Sequence, residues 1–192
     1  MLATETFTFG SENPVTVPSI GFGCSDYNQG NASSGIIGLG RGRLSLVSQL
    51  GLGKFSYCLT SFGDSSTSPL LLGSLAVLNG SAAQSTPFIQ NHVVPSLYYL
   101  SLQGITVGST LLPISSTDFA FKSDGSGGFI IDSGTTLTAL KEEAYQVLKQ
   151  EFQSQGNSSV AESSETETIF DVCFPLTDGR NLMEQVPTYF PL

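Results

Sequence analysis

The carboxylate with the most chemistry gathered around it is Asp132, which follows the apolar run Phe129-Ile130-Ile131 and opens the turn Ser133-Gly134-Thr135-Thr136. A buried strand ending there fixes where the carboxylate points. The hydroxyls of Ser133 and Thr135 can donate hydrogen bonds that orient it and favour its ionised form, and Gly134 admits a backbone approach that a side chain would block. The same residues without context describe an Asx-type turn at a strand end, so the surrounding sequence has to decide. Other candidates carry less. His92 lies in a polar stretch without a Ser or Cys cradle and reads as exposed, leaving serine-hydrolase chemistry unsupported. One histidine and three widely spaced cysteines exclude a two-imidazole or four-thiolate metal site, so no metal and no cofactor is expected. Gly38, Gly40 and Gly42 mimic a dinucleotide loop but lack the strand-turn-helix unit and ribose-binding acid that such a loop requires. The remaining acids, among them Asp26, Asp64, Asp118, Asp124, Asp171 and Asp178, read as surface residues in polar turns and strand edges.

The elements that must position Asp132 are mostly strands. Short apolar runs at Ile20 to Cys24, Phe55 to Leu59, Leu70 to Leu72, Tyr98 to Val107 and Phe129 to Ile131 are separated by Gly, Ser, Asn and Pro. Glu5 to Phe9 alternates polar and aromatic residues, the period of a strand with one buried face. Helical spacing is clear from Lys141 to about Gln155, with Ala144, Val147, Leu148 and Phe152 on one stripe and Glu142 and Glu143 in the first turn. A shorter helix is expected over Leu44 to Leu50. The apolar pattern lapses between Asn79 and Pro95, which places a lobe boundary there, and Gln153 to Thr168 reads as a solvated loop.

Composition narrows the partners. The chain has 192 residues, 40% hydrophobic and 12% charged, enough apolar content for a packed core. Seven basic against 16 acidic residues give a formal charge of −9, which repels phosphate backbones and argues against nucleic acid. No apolar run approaches the roughly 20 residues of a membrane helix. Asn31, Asn79 and Asn157 each open a glycosylation acceptor pattern, and together they favour export modestly. In an oxidising compartment Cys24 and Cys58 could close one loop. Cys173 is then left over, either for a partner elsewhere or as a reduced thiol in the core. Met1 to Phe9 has no basic start, signal-length apolar stretch or cleavage site, so no signal peptide is expected there. With an apolar last segment, the sequence reads as starting and stopping in mid-sheet.

The longer string Gly127-Gly128-Phe129-Ile130-Ile131-Asp132-Ser133-Gly134-Thr135-Thr136-Leu137-Thr138, followed by a helix, resembles the second active-site segment of pepsin-like aspartic proteases. Gly21-Phe22-Gly23-Cys24, Gly35-Ile36-Ile37-Gly38-Leu39-Gly40-Arg41-Gly42, Leu44-Ser45-Leu46, Phe55-Ser56-Tyr57-Cys58-Leu59, Tyr98-Tyr99-Leu100-Ser101-Leu102 and Ile105-Thr106-Val107-Gly108 are similar, in order, to the plant nepenthesin-like branch. The resemblance implies an all-β, two-lobed fold with a few short helices. Residues 1–78 would be the later part of the first lobe, 79–95 the linker and 96–192 the start of the second lobe. It implies that Asp132 is the second of two catalytic aspartates and that Ser133 grips the opposite turn. Thr135 would bond the outer oxygen of Asp132, Gly134 and Thr136 would contact substrate, and Ile36-Ile37-Gly38 would thread as a strand beside the first catalytic turn. The family's first Asp-Thr-Gly and its flap tyrosine match nothing in these residues, so the chain is expected to be inactive alone. The implied whole protein is a monomeric endopeptidase acting on polypeptides in an extracellular, apoplastic or vacuolar setting. The competing expectation is a noncatalytic binding protein on the same scaffold, similar to plant xylanase inhibitors.

Overall fold

The computed structural model describes residues 1–10, 13–25, 35–61, 63–78, 83–155, 172 and 189–191. Asn31, Asn79, Asn157 and Cys173 lie outside them, as do Asp26, Asp171 and Asp178. The chain divides into two compact units, Met1–Tyr98 and Tyr99–Leu192.

In the first unit, β1 (Leu2–Phe9) pairs antiparallel with β2 (Val15–Gly23), and β3 (Phe55–Tyr57) pairs with β4 (Leu70–Leu72). The β1–β2 register shifts once: Glu5 faces Ile20 while Phe7 faces Val17, so Thr6 meets both Pro18 and Ser19. This is a β-bulge, and it suits Pro18, which has no N–H to give the ladder. Ser19 there takes a left-handed φ of 62°. The alternation expected along β1 is present, but its buried face is not. Phe7 remains 36% exposed because a two-stranded ribbon offers no second layer, and its ring packs instead on Phe9 and Phe22.

Helix α1 (Leu46–Gln49) is shorter than its apolar spacing suggests, since Ser45 caps it by accepting from the Ser48 N–H at 3.2 Å. Gln49 then does the work of a neighbouring strand. Its side-chain oxygen accepts from Gly21 N–H at 2.7 Å, and its amide donates to the carbonyls of Gly21 at 2.9 Å and Leu44 at 2.8 Å. Ile36-Ile37-Gly38, expected as a packed strand, belongs to none: Ile36 is 98% and Ile37 60% exposed, with no described strand beside them. Cys24 and Cys58 are both free thiols, against the expected bridge. They follow the ends of β2 and β3, strands of two separate sheets, and no register brings them face to face.

The second unit holds the better core. β5 (Tyr99–Leu100) pairs with β8 (Phe129–Ile130), and β6 (Ile105–Val107) is flanked by β7 (Thr110–Leu111) and β9 (Tyr189–Pro191). Leu102, Ile105, Val107, Leu112, Phe119 and Ala144 are buried together, and the stripe Val147, Leu148 and Phe152 of α2 (Glu142–Gln155) packs on them. That burial, rather than intrinsic propensity, holds the helix. Its last residue is tied down as well, because the Gln155 amide donates to the Val107 carbonyl at 3.0 Å and to Thr110 Oγ1 at 3.2 Å. At the other end the Lys141 ammonium donates to the Asp118 carbonyl. No helix among the described residues is long and apolar enough to cross a membrane.

Candidate active site

The strand that delivers Asp132 is positioned by two glycines. Gly127 and Gly128 take φ of 80° and 84°, a region L-residues avoid. A Cβ on Gly127 would stand 2.7 Å from the Ala120 carbonyl oxygen, and one on Gly128 would stand 2.4 Å from a Phe121 ring carbon. These contacts let the chain reverse after the turn in which Lys122 N–H donates to the Ser126 carbonyl at 2.8 Å, and β8 then runs along β5. β8 is shorter and wetter than its sequence suggests. Ile130 is 40% and Ile131 53% exposed, because β5 is its single described partner.

Asp132 is exposed, and both of its oxygens are engaged. Gly134 N–H donates to Oδ1 at 3.0 Å and the Thr135 hydroxyl donates to Oδ2 at 2.6 Å. Thr135 N–H also reaches the Asp132 carbonyl at 3.3 Å, which closes the turn. The Thr135 hydroxyl first, and then the Gly134 N–H, hold the carboxyl below the ordinary aspartate value by stabilising its charged form. Ser133 does not bond the carboxylate; the second donor is the Gly134 backbone. A Cβ at Gly134 would crowd Oδ1 at 3.3 Å, so the bare glycine serves that close approach. Thr136 is exposed beside the turn.

A depressed pKa does not by itself distinguish Asp132. Asp124 is also held low, by the hydroxyl and N–H of Ser126. Geometry separates them. In Asp64 and Asp124 one oxygen, Oδ1, takes both bonds from the serine two residues on, the ordinary Asx arrangement. In Asp132 the two oxygens are held by different residues, which fixes the plane of the carboxylate as well as its direction. Such a group, ionised and accessible, is suited to orienting a water and taking a proton from it.

His92 is exposed, beside Asn91, whose buried side chain accepts from Val93 N–H at 2.9 Å and Val94 N–H at 3.2 Å. No group of three or more His, Cys, Asp or Glu among the described residues could hold a metal ion.

Two family models match the chain: one described as Xylanase inhibitor N-terminal over residues 1–74, the other as Xylanase inhibitor C-terminal over residues 97–189. The chain is 49% identical to Aspartic proteinase nepenthesin-1 of Nepenthes gracilis, across 98% of its own length and 43% of that protein. It is 47% identical to nepenthesin-2 of the same plant, across 97% and 42%, and 38% identical to Aspartyl protease AED3 of Arabidopsis thaliana, across 96% and 40%. The chain therefore spans about two fifths of the length of these relatives. Among solved structures, the crystal structure of edgp matches with a TM-score of 0.72 at 21% identity, over 90% of this chain and 49% of that one.

Proposed function

Because the chain belongs to the plant nepenthesin-like branch of the pepsin-like aspartic proteases and carries part of their all-β fold, we infer that Asp132 is one half of a catalytic aspartate pair in an endopeptidase. The observation that carries this reading is the two-sided clamp on its carboxylate, from Gly134 at 3.0 Å and Thr135 at 2.6 Å. That clamp favours the ionised form, so Asp132 by itself supplies a base. Peptide hydrolysis also needs a neutral acid to polarise the scissile carbonyl. A second carboxyl placed beside Asp132 would share a proton with it through like-charge repulsion. No other Asp-Ser-Gly or Asp-Thr-Gly occurs in the 192 residues, so the partner carboxyl is assigned outside them.

In this reading Gly134 and Thr136 contact an extended polypeptide and Ser133 grips the opposing turn. The two compact units, Met1–Tyr98 and Tyr99–Leu192, belong to successive lobes, with residues 79–95, expected as the linker, falling within the first, and the whole protein works at acidic pH in an extracellular, apoplastic or vacuolar setting. The 192-residue chain alone should release no peptide from denatured protein at acidic pH. The full-length gene product should do so and lose the activity with Asp132→Asn. A full-length product inactive throughout the acidic range refutes the proposal.

The second reading is a noncatalytic binding scaffold, favoured by the description of both matched family models as xylanase inhibitor domains. Inhibition of a xylanase by the full-length product, without proteolysis, would select it.

A further inference from the structure

The first unit contains a groove of about 400 Å³ in which one cation, Arg41, stands among Val47, Leu52, Phe88 and Tyr98. Its walls are fastened. The Tyr98 hydroxyl donates to the Leu39 carbonyl at 2.8 Å, Arg41 N–H donates to the Ser96 carbonyl at 2.8 Å, and the Phe88 and Tyr98 rings pack at 5.0 Å. Gly40 lies so close beneath this strap that a Cβ would come within 2.7 Å of the Ser96 oxygen. The Arg41 guanidinium lies 6.0 Å from the centre of the Phe88 ring, and among the described residues no carboxylate pairs with it. A guanidinium held over an aromatic face, with no carboxylate paired to it among the described residues, has its N–H donors available to an outside anion.

We propose that this groove binds a ligand whose carboxylate is joined to a flat apolar group, the carboxylate pairing with Arg41 and the apolar body lying against Phe88, Tyr98, Val47 and Leu52. A guanidinium meets a carboxylate with two parallel N–H bonds, and the volume suits a small ligand or a single terminal residue. The carboxylate has two sources with this chemistry, the C-terminus of a peptide ending in an aromatic residue and a free aryl acid. The site is independent of Asp132 and stands whether or not the protein hydrolyses peptides.

The test is an amide NMR titration of the 192-residue chain with N-acetylphenylalanine, phenylacetate and the neutral N-acetylphenylalaninamide. Saturable shifts are expected at the amides of Arg41 and Gly53 with an acid. Binding should weaken by about tenfold or more for the neutral amide and for Arg41→Gln, the usual effect of losing a charged hydrogen-bond partner. Gly53 lines the groove and a Cβ there meets nothing within 4 Å, so Gly53→Leu should fill the space and abolish binding while the β1–β2 amide shifts stay in place. Binding of N-acetylphenylalanine alone assigns the site to chain termini, binding of phenylacetate alone assigns it to free aryl acids, and binding of both assigns it to the shared chemistry. The proposal is overturned by an absence of saturable shifts, by equal binding of acid and amide, or by an Arg41→Gln variant that binds as the parent does.

Discussion

Replacing Gly128 by alanine tests whether the second unit depends on the close approach before β8 that only a bare glycine allows. At a φ of 84° an L-residue carries strain of about 1–2 kcal/mol, partly offset by about 0.5–1 kcal/mol because alanine loses less freedom on folding. The added Cβ would also stand 2.4 and 2.9 Å from two Phe121 ring carbons and 3.0 Å from Tyr99. These rings form an edge-to-face pair at 4.9 Å, and Tyr99 is 5% exposed, so neither can yield freely. Disturbing such a pair costs about 0.5–1.5 kcal/mol and local overpacking about 1–3 kcal/mol. The clash therefore outweighs the backbone strain, and a total near 2–4 kcal/mol is expected. For a unit of this size that lowers the melting temperature by roughly 10–20 °C. The chain has no Trp, so near-ultraviolet circular dichroism reports tyrosines, Tyr99 among them, and follows the transition. Adding Phe121→Ala to Gly128→Ala should recover more than about 1 kcal/mol as coupling energy in the double-mutant cycle. A Gly128→Ala chain that melts within about 2 °C of the parent, or a cycle without coupling, would refute the reasoning.

Thr135→Val removes the hydroxyl that most depresses Asp132, so the carboxyl should titrate closer to the ordinary aspartate value by carbon-13 NMR; an unchanged titration would reassign the cause. Because the folded value is lowered, the stabilisation belongs to pH above the unfolded value and fades as pH falls through the folded one, so parent and variant should converge in stability in acid. Gln49→Ala strips partners from the N–H and carbonyl of Gly21 and from the Leu44 carbonyl. It should cost about 2–3 kcal/mol and speed hydrogen exchange at Gly21, and unchanged exchange would show that water replaces the clamp. Ser19→Gly relieves the left-handed bulge residue and should stabilise the first unit by up to about 1 kcal/mol in denaturant titration, whereas Ser19→Val should destabilise it.

Local order in the chain was enough to establish most of the strands, the long helix and the turn that orients the Asp132 carboxylate. Alternation along Glu5 to Phe9 and the stripe Ala144, Val147, Leu148 and Phe152 are properties of period, and period survives whatever the chain packs against. The turn after Asp132 is equally local, since its donors lie two and three residues away. Tertiary structure decided what depends on distant neighbours. Burial of Phe7, Ile36, Ile37 and Ile131 required a covering layer that the described residues do not supply, so apolar runs that read as core stand in solvent. Pairing of Cys24 with Cys58 required two separate sheets to meet, which spacing along a chain cannot specify. The donor on Oδ1 proved to be the Gly134 backbone rather than the Ser133 side chain, because the path of a turn, and not its inventory of hydroxyls, determines which groups point at the carboxylate.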